Sequence, residues 1–421
     1  MLKKFFAKFR PKRAVDQAVL VLDIGTEFVK VLIFQIEKAH AFVRGYAKLR
    51  QNPGNMFAGV ITDIAGVSRV AEEAIEIASR MAGFWPQQTV MGIGGELIRG
   101  LTTQIKYTRN NPLNRIDLPE LNVIVQQTQT RALKKIRAEL ALEVAAREID
   151  LKFVSSAIID SQVDGQPATN PIGFQGHEVA LTVFNSFAPL VHFGALKTIA
   201  AELELDLLTI ALEPFALARL FAREYTRSAP AIFLDVGGGT TDLAVNLPNG
   251  EIVLRSFAIG GQTFTRRLAQ VLRVGYQEAE RLKLEYTRNR LPLKQTKIIR
   301  SFLQEDSEVW LAGVELALAE IGVKEGKLPS RIFLCGGGAN LAELKLALAK
   351  PEFKKRLPFG RWPVVSFLMP ADLTCFTDET GLVTSVQDLA PLALAQLGWQ
   401  LAGEEKLLSM VLRQAVRLVR N

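Results

Sequence analysis

The sequence predicts an α/β protein of two similar lobes around one cleft, with a smaller subdomain inserted into the first lobe. Three observations predict it. LDIGT at Leu22–Thr26 and LDVGGGT at Leu234–Thr240 are one device used twice, their aspartates 212 residues apart, as an internal duplication requires. A third glycine cluster, CGGGAN at Cys335–Asn340, ends an apolar run and precedes a helical pattern. Between the clusters, β-branched runs alternate with segments of helical period, the signature of layered strands and helices.

The elements follow in order. Residues 19–34 read as strand, tight turn and strand, broken by Asp23-Ile24-Gly25-Thr26. Residues 66–82 read as a helix with an apolar stripe through Val67, Val70, Ala74, Ile77 and Ala78, closed by Trp85-Pro86. A strand interrupted by Gly92, Gly94 and Gly95 follows at 89–98, then a long helix from about Pro119 to Ile149. LKFVSSAIIDSQVDG and HEVALTVFNSF read as strands on either side of a turn-rich stretch. Helices are predicted at 189–203 and 214–226, a strand at 251–259, and helices at 262–285 and 296–321. RIFLCGGGANLAELKLALA is strand, glycine turn and helix; residues 351–370 are irregular and punctuated by proline, and helices close the chain. These elements divide into a basic N-terminal segment at 1–13 and a first lobe at 14–88 and 187–229. The inserted subdomain spans 89–186. A second-lobe core takes 230–260 and 328–402, its outer subdomain 261–327, and a terminal amphipathic helix 403–421.

A chain of 421 residues with 48% hydrophobic content has enough apolar mass for more than one packed core. Its two cysteines, Cys335 and Cys375, offer neither a disulfide framework nor a thiolate zinc site, and suit a reducing compartment. His40, His177 and His192 are too scattered for a metal cluster. Ten basic and no acidic residues lie in the two tails, 1–13 and 406–421, which turns the +8 of the whole chain into −2 for residues 14–405. A nucleic-acid protein spreads its basic residues over a face of the fold, so no nucleic-acid partner is expected. No apolar run is long enough for a membrane span, and the N-terminus lacks the apolar core and cleavage site of a signal peptide.

A glycine turn between two strands presents several backbone N–H groups to one side and cradles phosphate oxygens without a charged side chain. That reading takes Gly25 and Thr26 in the first turn, and Gly237, Gly238, Gly239, Thr240 and Thr241 in the second. Asp23 and Asp235 precede the turns, where bare carboxylates would repel phosphate. They make sense as holders of the water shell of a hard divalent cation such as Mg²⁺. Lys30, on the strand after the first turn, is a candidate phosphate ligand. Gly336, Gly337 and Gly338 form a backbone platform on which a flat base would lie.

In order and spacing these clusters resemble the two phosphate loops and the adenosine loop of the actin-like ATPase superfamily. The resemblance implies an actin-like fold, two RNase H-like lobes around a nucleotide cleft, with ATP and Mg²⁺ as ligands. LEPFALARLFA from Leu212 resembles the helix whose Glu or Gln orients the attacking water, which implies Glu213, with Asp235, as the catalytic pair. FAIGGQTFTRRLAQVL and EAERLKLEY resemble the GG…T and AExxK segments. They imply nucleotide contacts at Gly260 and Gly261, and ribose and base contacts at Glu280 and Lys283. The resemblance runs from about Val19 to about Ala395.

Within the superfamily the chain is similar to FtsA-type cell-division proteins, through VDGQPATNPIGFQGHEVALTVF in a strand-helix-strand-strand subdomain and through IGGQTFT with AERLKLEY in the second lobe. Two departures stand out: Arg266 and Arg267 follow Thr265 where an aspartate is expected, and Pro351–Leu373 is longer and more irregular than the family pattern. FtsA-type proteins end in a membrane-targeting helix. Here Leu407, Leu408, Val411, Leu412, Ala415, Val416, Leu418 and Val419 share one face, opposite Lys406, Ser409, Arg413, Arg417 and Arg420. An aliphatic face opposite a cationic one suits an anionic membrane, and residues 1–13 repeat the pattern in miniature. The resemblance implies a peripheral protein of the cytoplasmic membrane face. It would assemble into actin-like filaments and tether FtsZ, with ATP hydrolysis slow or absent. A PilM-type adaptor of type IV pilus assembly and a soluble kinase with the same cleft are the alternatives.

Overall fold

The computed structural model describes residues 18–402 except 39, 97, 144–149 and 225–229. The basic segment at 1–13 and the amphipathic helix at 403–421, with every residue assigned there to membrane contact, lie outside the described residues.

The first lobe is built on a six-stranded sheet. Strands β1 (Ala18–Ile24), β2 (Phe28–Glu37) and β3 (His40–Arg50) form an antiparallel meander. β1 is buried along its whole length, as a strand covered on both faces must be. Two short strands, β4 (Met56–Phe57) and β5 (Val60–Ile61), form a hairpin beside it. Helix α1 (Ile64–Ala82) starts where the Asp63 carboxylate accepts from the Gly66 N–H at 3.0 Å and stops at Gly83, whose φ is 78°. β6 (Gln88–Ile93) then enters parallel to β1.

The insert comprises β7 (Arg99–Thr108), α2 (Leu118–Glu143), β8 (Leu151–Val163), the short β9 (Gln166–Pro167) and β10 (Glu178–Pro189). β10 lies between β7 and β8, antiparallel to both. The chain returns to the first lobe through α3 (Leu190–Glu202) and β11 (Asp206–Leu212), which adds to β6. α4 (Glu213–Glu224) crosses beneath both lobes, where its Phe221 packs on Phe233 and Phe333 at ring-centroid distances of 5.1 and 4.8 Å.

The second lobe repeats the meander with β12 (Ala231–Val236), β13 (Thr241–Asn246) and β14 (Ile252–Phe257). Helices α5 (Gly261–Leu272), α6 (Tyr276–Thr287) and α7 (Leu293–Glu325) cover it, around a fully buried Trp310. β15 (Arg331–Cys335) lies parallel to β12; the helices α8 (Ala342–Leu348) and α9 (Pro351–Arg356) lead to β16 (Val364–Phe367), parallel to β15. β17 (Phe376–Asp378) and α10 (Leu389–Ala402) complete the described chain.

Three segments sit elsewhere than the sequence boundaries put them. β6 belongs to the first-lobe sheet, between β1 and β11, so the insert begins at β7. β17 pairs with β3 and α10 packs on β1, β6 and α4, so both return to the first lobe rather than closing the second. The helix expected over 262–285 is two helices, broken where Arg273 takes φ 53° before Gly275. Local pattern does not register such reversals, because long-range pairing decides them. Among the described residues no helix is long and apolar enough to cross a membrane.

Candidate nucleotide cleft

Both glycine turns close with the same hydrogen bond. Gly25 N–H donates to Phe28 O at 3.0 Å, and Gly237 N–H to Thr240 O at 2.9 Å. The turns meet tip to tip: a Cβ on Gly239 would stand 2.8 Å from Thr26 Oγ1, and one on Gly238 2.9 Å from Glu27 Cβ. The first turns of α5 hold the second loop from behind. Gly261 and Gln262 N–H donate to the carbonyls of Gly237 and Gly238 at 2.9 and 2.8 Å. Those carbonyls are thereby drawn toward the helix and away from the cleft, the arrangement an anion cradle needs.

A cavity of about 410 Å³ opens between the lobes. Asp23, Gly25, Thr26 and Lys30 line it from the first lobe, with Glu213 from α4. Asp235, Gly237, Gly238, Thr240 and Gly261 line it from the second lobe. Glu280, Lys283 and the Gly336–Gly338 turn complete it. Sequence-assigned residues from both lobes thus face one space.

The carboxylates carry the electrostatics. Lys30 donates to Asp23 Oδ2 at 2.8 Å. Burial alone would depress the Lys30 ammonium, but Asp23, with Glu213 and Asp235 adding to it, holds Lys30 above its ordinary value. Burial, then the neighbouring Asp242, push Asp235 up to about 7. Burial, then Asp23 and Asp235, push Glu213 well above the usual carboxylate range. Glu213 heads α4, and Gly92 makes room for it: a Cβ there would stand 2.7 Å from Glu213 Oε1. Four crowded carboxylates and one lysine leave a negative excess that a bound cation would relieve. Among the described residues no three His, Cys, Asp or Glu converge as direct metal ligands. A cation that keeps its waters, as Mg²⁺ does, fits such a set through Asp23 and Asp235.

The platform turn is shaped by its glycines. Gly336 has φ 81°, and a Cβ there would overlap the Asp235 carboxylate and come within 2.6 Å of Val236 O. Gly337 has only the Gln387 side chain near, at 3.7 Å, and leaves a flat face toward the cavity. Across from it, Lys283 donates to Gly261 O at 2.9 Å and to Thr265 Oγ1 at 2.6 Å, and pairs with Glu280 at 2.8 Å. Thr265 also donates to Glu280. The assigned ribose and base contacts therefore stand pre-positioned by Thr265.

Three assigned residues do not line the cavity. Gly239 packs instead against Thr26 and the backbone of Ala58 and Gly59. Thr241 is fully buried, donates to Ile259 O at 2.6 Å and accepts from Trp310 Nε1 at 3.0 Å. It is a core hydroxyl of the second lobe, because successive strand residues face opposite sides and Thr240 takes the cleft side. Gly260 lies behind the second loop and acts by allowing close approach.

The sequence reading missed residues as well. Asp242 lines the cavity and accepts from Thr240 Oγ1 at 3.0 Å and from Ser256. Burial raises it and these bonds lower it, with a net upward shift. Its signal was the aspartate ending GGGTTD. Glu27 joins the lobes at the mouth, accepting from Gln262 Nε2 at 2.9 Å and pairing with Arg50. No local signal marks it.

The family model "Cell division protein FtsA" matches residues 232–360. The cell division protein FtsA of Neisseria meningitidis serogroup B is 26% identical over 274 residues, 64% of this chain and 61% of that protein. The FtsA of Streptococcus pneumoniae serotype 2 is 24% identical over 392 residues, 88% of this chain and 81% of that protein. The match thus spans less than two thirds of the Neisseria relative and more of the Streptococcus one. Among solved structures, a chain of the PilM–PilN type IV pilus biogenesis complex superposes with TM-score 0.62 at 17% identity, covering 92% of this chain and 99% of that one. The chain has the actin-like ATPase fold, and in sequence it is similar to the cell division protein FtsA.

Proposed function

We propose that the chain is an FtsA-type protein that binds Mg-ATP in the interlobe cleft, polymerises on the cytoplasmic face of the membrane and tethers FtsZ there. The observation that carries the reading is the meeting of two duplicated glycine turns and the Gly336 platform around one acidic cavity, in a chain whose sequence relatives are FtsA proteins. The backbone turns at Gly25 and Gly237 would cradle the phosphates, and Glu280 and Lys283 would take the nucleoside. Asp23 and Asp235 would hold the hydrated cation, whose charge offsets theirs and that of the phosphates. Glu213 would orient the attacking water wherever hydrolysis occurs. ATP would act mainly by favouring one lobe closure over another.

A second reading, a PilM-like adaptor, is favoured by the superposition that covers 99% of the PilM chain. Electron microscopy of the protein on an anionic lipid monolayer, with and without Mg-ATP, separates the two, with FtsZ added in a second series. Nucleotide-dependent filaments that recruit FtsZ are the expected result. Lipid binding without filaments or FtsZ recruitment would overturn it in favour of the adaptor, and absence of Mg-ATP binding would remove both.

A further inference from the structure

We propose that β16, the open edge of the nine-stranded sheet β16-β15-β12-β13-β14-β7-β10-β8-β9 that joins the second lobe to the insert, is a docking site for an extended acidic segment of a partner protein, which adds to the sheet as a further strand. This rests on the second lobe alone and not on the role of the cleft.

β16 is the last strand on its side of the sheet among the described residues. Its Val364 N–H donates inward to Ser330 O at 2.8 Å, and Leu368 N–H, just beyond it, to Leu334 O at 3.3 Å. Backbone groups alternate sides along a strand. The N–H and C=O of Val365 and Phe367 therefore face outward, the template that strand addition uses. The side chains around this edge are apolar and open to solvent. Trp362 is 57% exposed, Val364 63%, and Leu346 of α8 59%.

The same surface is strongly basic. Residues 345–361 hold Lys345, Lys350, Lys354, Lys355, Arg356 and Arg361 and one acid, Glu352; with Lys350 and Arg356 paired to Glu308 and Glu315, four cations remain against it. Lys345 stands over the Phe367 ring at 4.6 Å and Lys354 over the Trp362 ring at 4.9 Å, so cations flank the apolar faces. The scaffold beneath is fixed. Lys350 and Arg356 pair with Glu308 and Glu315 of α7, and the loop before β16 is tied down by Leu328 N–H to Pro358 O at 2.9 Å. This is the irregular stretch after Pro351 that the family pattern does not anticipate.

Charge selects the occupant. The chain's own tails carry ten basic residues and no acidic ones, so they are repelled. A second copy of this edge is repelled for the same reason, which is how edge lysines suppress self-pairing. An acidic strand is attracted, and its backbone meets the free groups of Val365 and Phe367.

The test uses the full chain and a labelled peptide in which glutamates alternate with valine and phenylalanine, measured by fluorescence anisotropy. Two variants are compared with the parent: the charge reversal Lys354→Glu/Lys355→Glu, and Val365→Pro, which removes one outward donor at an edge position where proline is tolerated. Unchanged circular dichroism and an unchanged melting temperature in both establish that they fold. Binding to the parent, weakened about tenfold or more by charge reversal and about fivefold or more by Val365→Pro, is expected. Loss on charge reversal without loss on Val365→Pro would show plain electrostatic attraction and overturn strand addition. Absence of peptide binding would overturn the proposal. So would self-association, or binding to anionic vesicles, that either variant abolishes, since the edge would then serve a second copy or a membrane.

Discussion

Asp235 and Asp242 face each other across the β12–β13 hairpin in the register that Asp23 and Lys30 occupy across β1–β2. The duplicated device thus pairs a carboxylate with a lysine in one lobe and with a second carboxylate in the other. The first pair neutralises itself at 2.8 Å. In the second, burial and then Asp242 push Asp235 up to about 7, and under the proposed function this pair would supply the charge that draws in a cation. The asymmetry fits a cleft that takes a cation together with its anionic ligand.

Replacing Asp235 by Asn separates the needs of binding from those of folding. The variant keeps the shape and removes a buried charge. At pH 8 its ligand-free form should melt about 2–4 °C higher than the parent. Its affinity for Mg-ATP should fall at least tenfold, by about 1.4 kcal/mol or more. Thermal melts and titration calorimetry on the same samples check both; an unchanged affinity removes Asp235 from the site.

Acid should stabilise the ligand-free protein. Between about pH 4, where an unfolded aspartate titrates, and about 7, native Asp235 keeps a proton that the unfolded chain has lost. The native state binds more protons, so unfolding free energy is greatest below this window and falls as pH rises through it. Glu213 shifts in the same direction. Melting temperature without nucleotide should therefore drop from pH 5 to pH 8, and Asp235→Asn should flatten the slope. Mg²⁺ affinity should run the other way, strengthening as the carboxylates ionise.

Gly336→Ala tests the platform. A side chain at φ 81° is strained, and its Cβ meets the Asp235 carboxylate. The cost should be about 2–4 kcal/mol of stability, seen as a lower denaturation midpoint, together with loss of nucleotide binding. Gly337→Ala, where a Cβ has only Gln387 near, at 3.7 Å, should fold normally and weaken nucleotide binding alone.

Thr241→Val distinguishes a core hydroxyl from a phosphate ligand. It leaves the Trp310 Nε1 donor buried without its acceptor, at a cost of about 1–3 kcal/mol. Mg-ATP affinity, measured well below the melting point, should stay within about twofold of the parent. A loss of affinity comparable to that of Asp235→Asn would return Thr241 to the cleft.

Much of the site was legible in the sequence because its parts are local. A strand ending in aspartate and turning on glycine declares itself within a few residues, and three such clusters in order declare the cleft. What escaped depended on pairing or parity. Asp242 joins the site because the hairpin register sets it opposite Asp235. Thr241 leaves it because it falls on the other side of the strand from Thr240.

The sequence by itself determined the two-lobed duplication, the glycine turns, and the carboxylates placed just before them, since each follows from backbone sterics and short-range hydrogen bonding. Only the tertiary structure decided that β17 and α10 return to the first lobe, that β14 meets the insert through Val253 and Leu101, and that Glu27 links the lobes through Gln262. Those contacts join residues distant in the chain. Which of them form is settled by what the assembled sheets leave unburied and unpaired, and no local window of sequence contains that information.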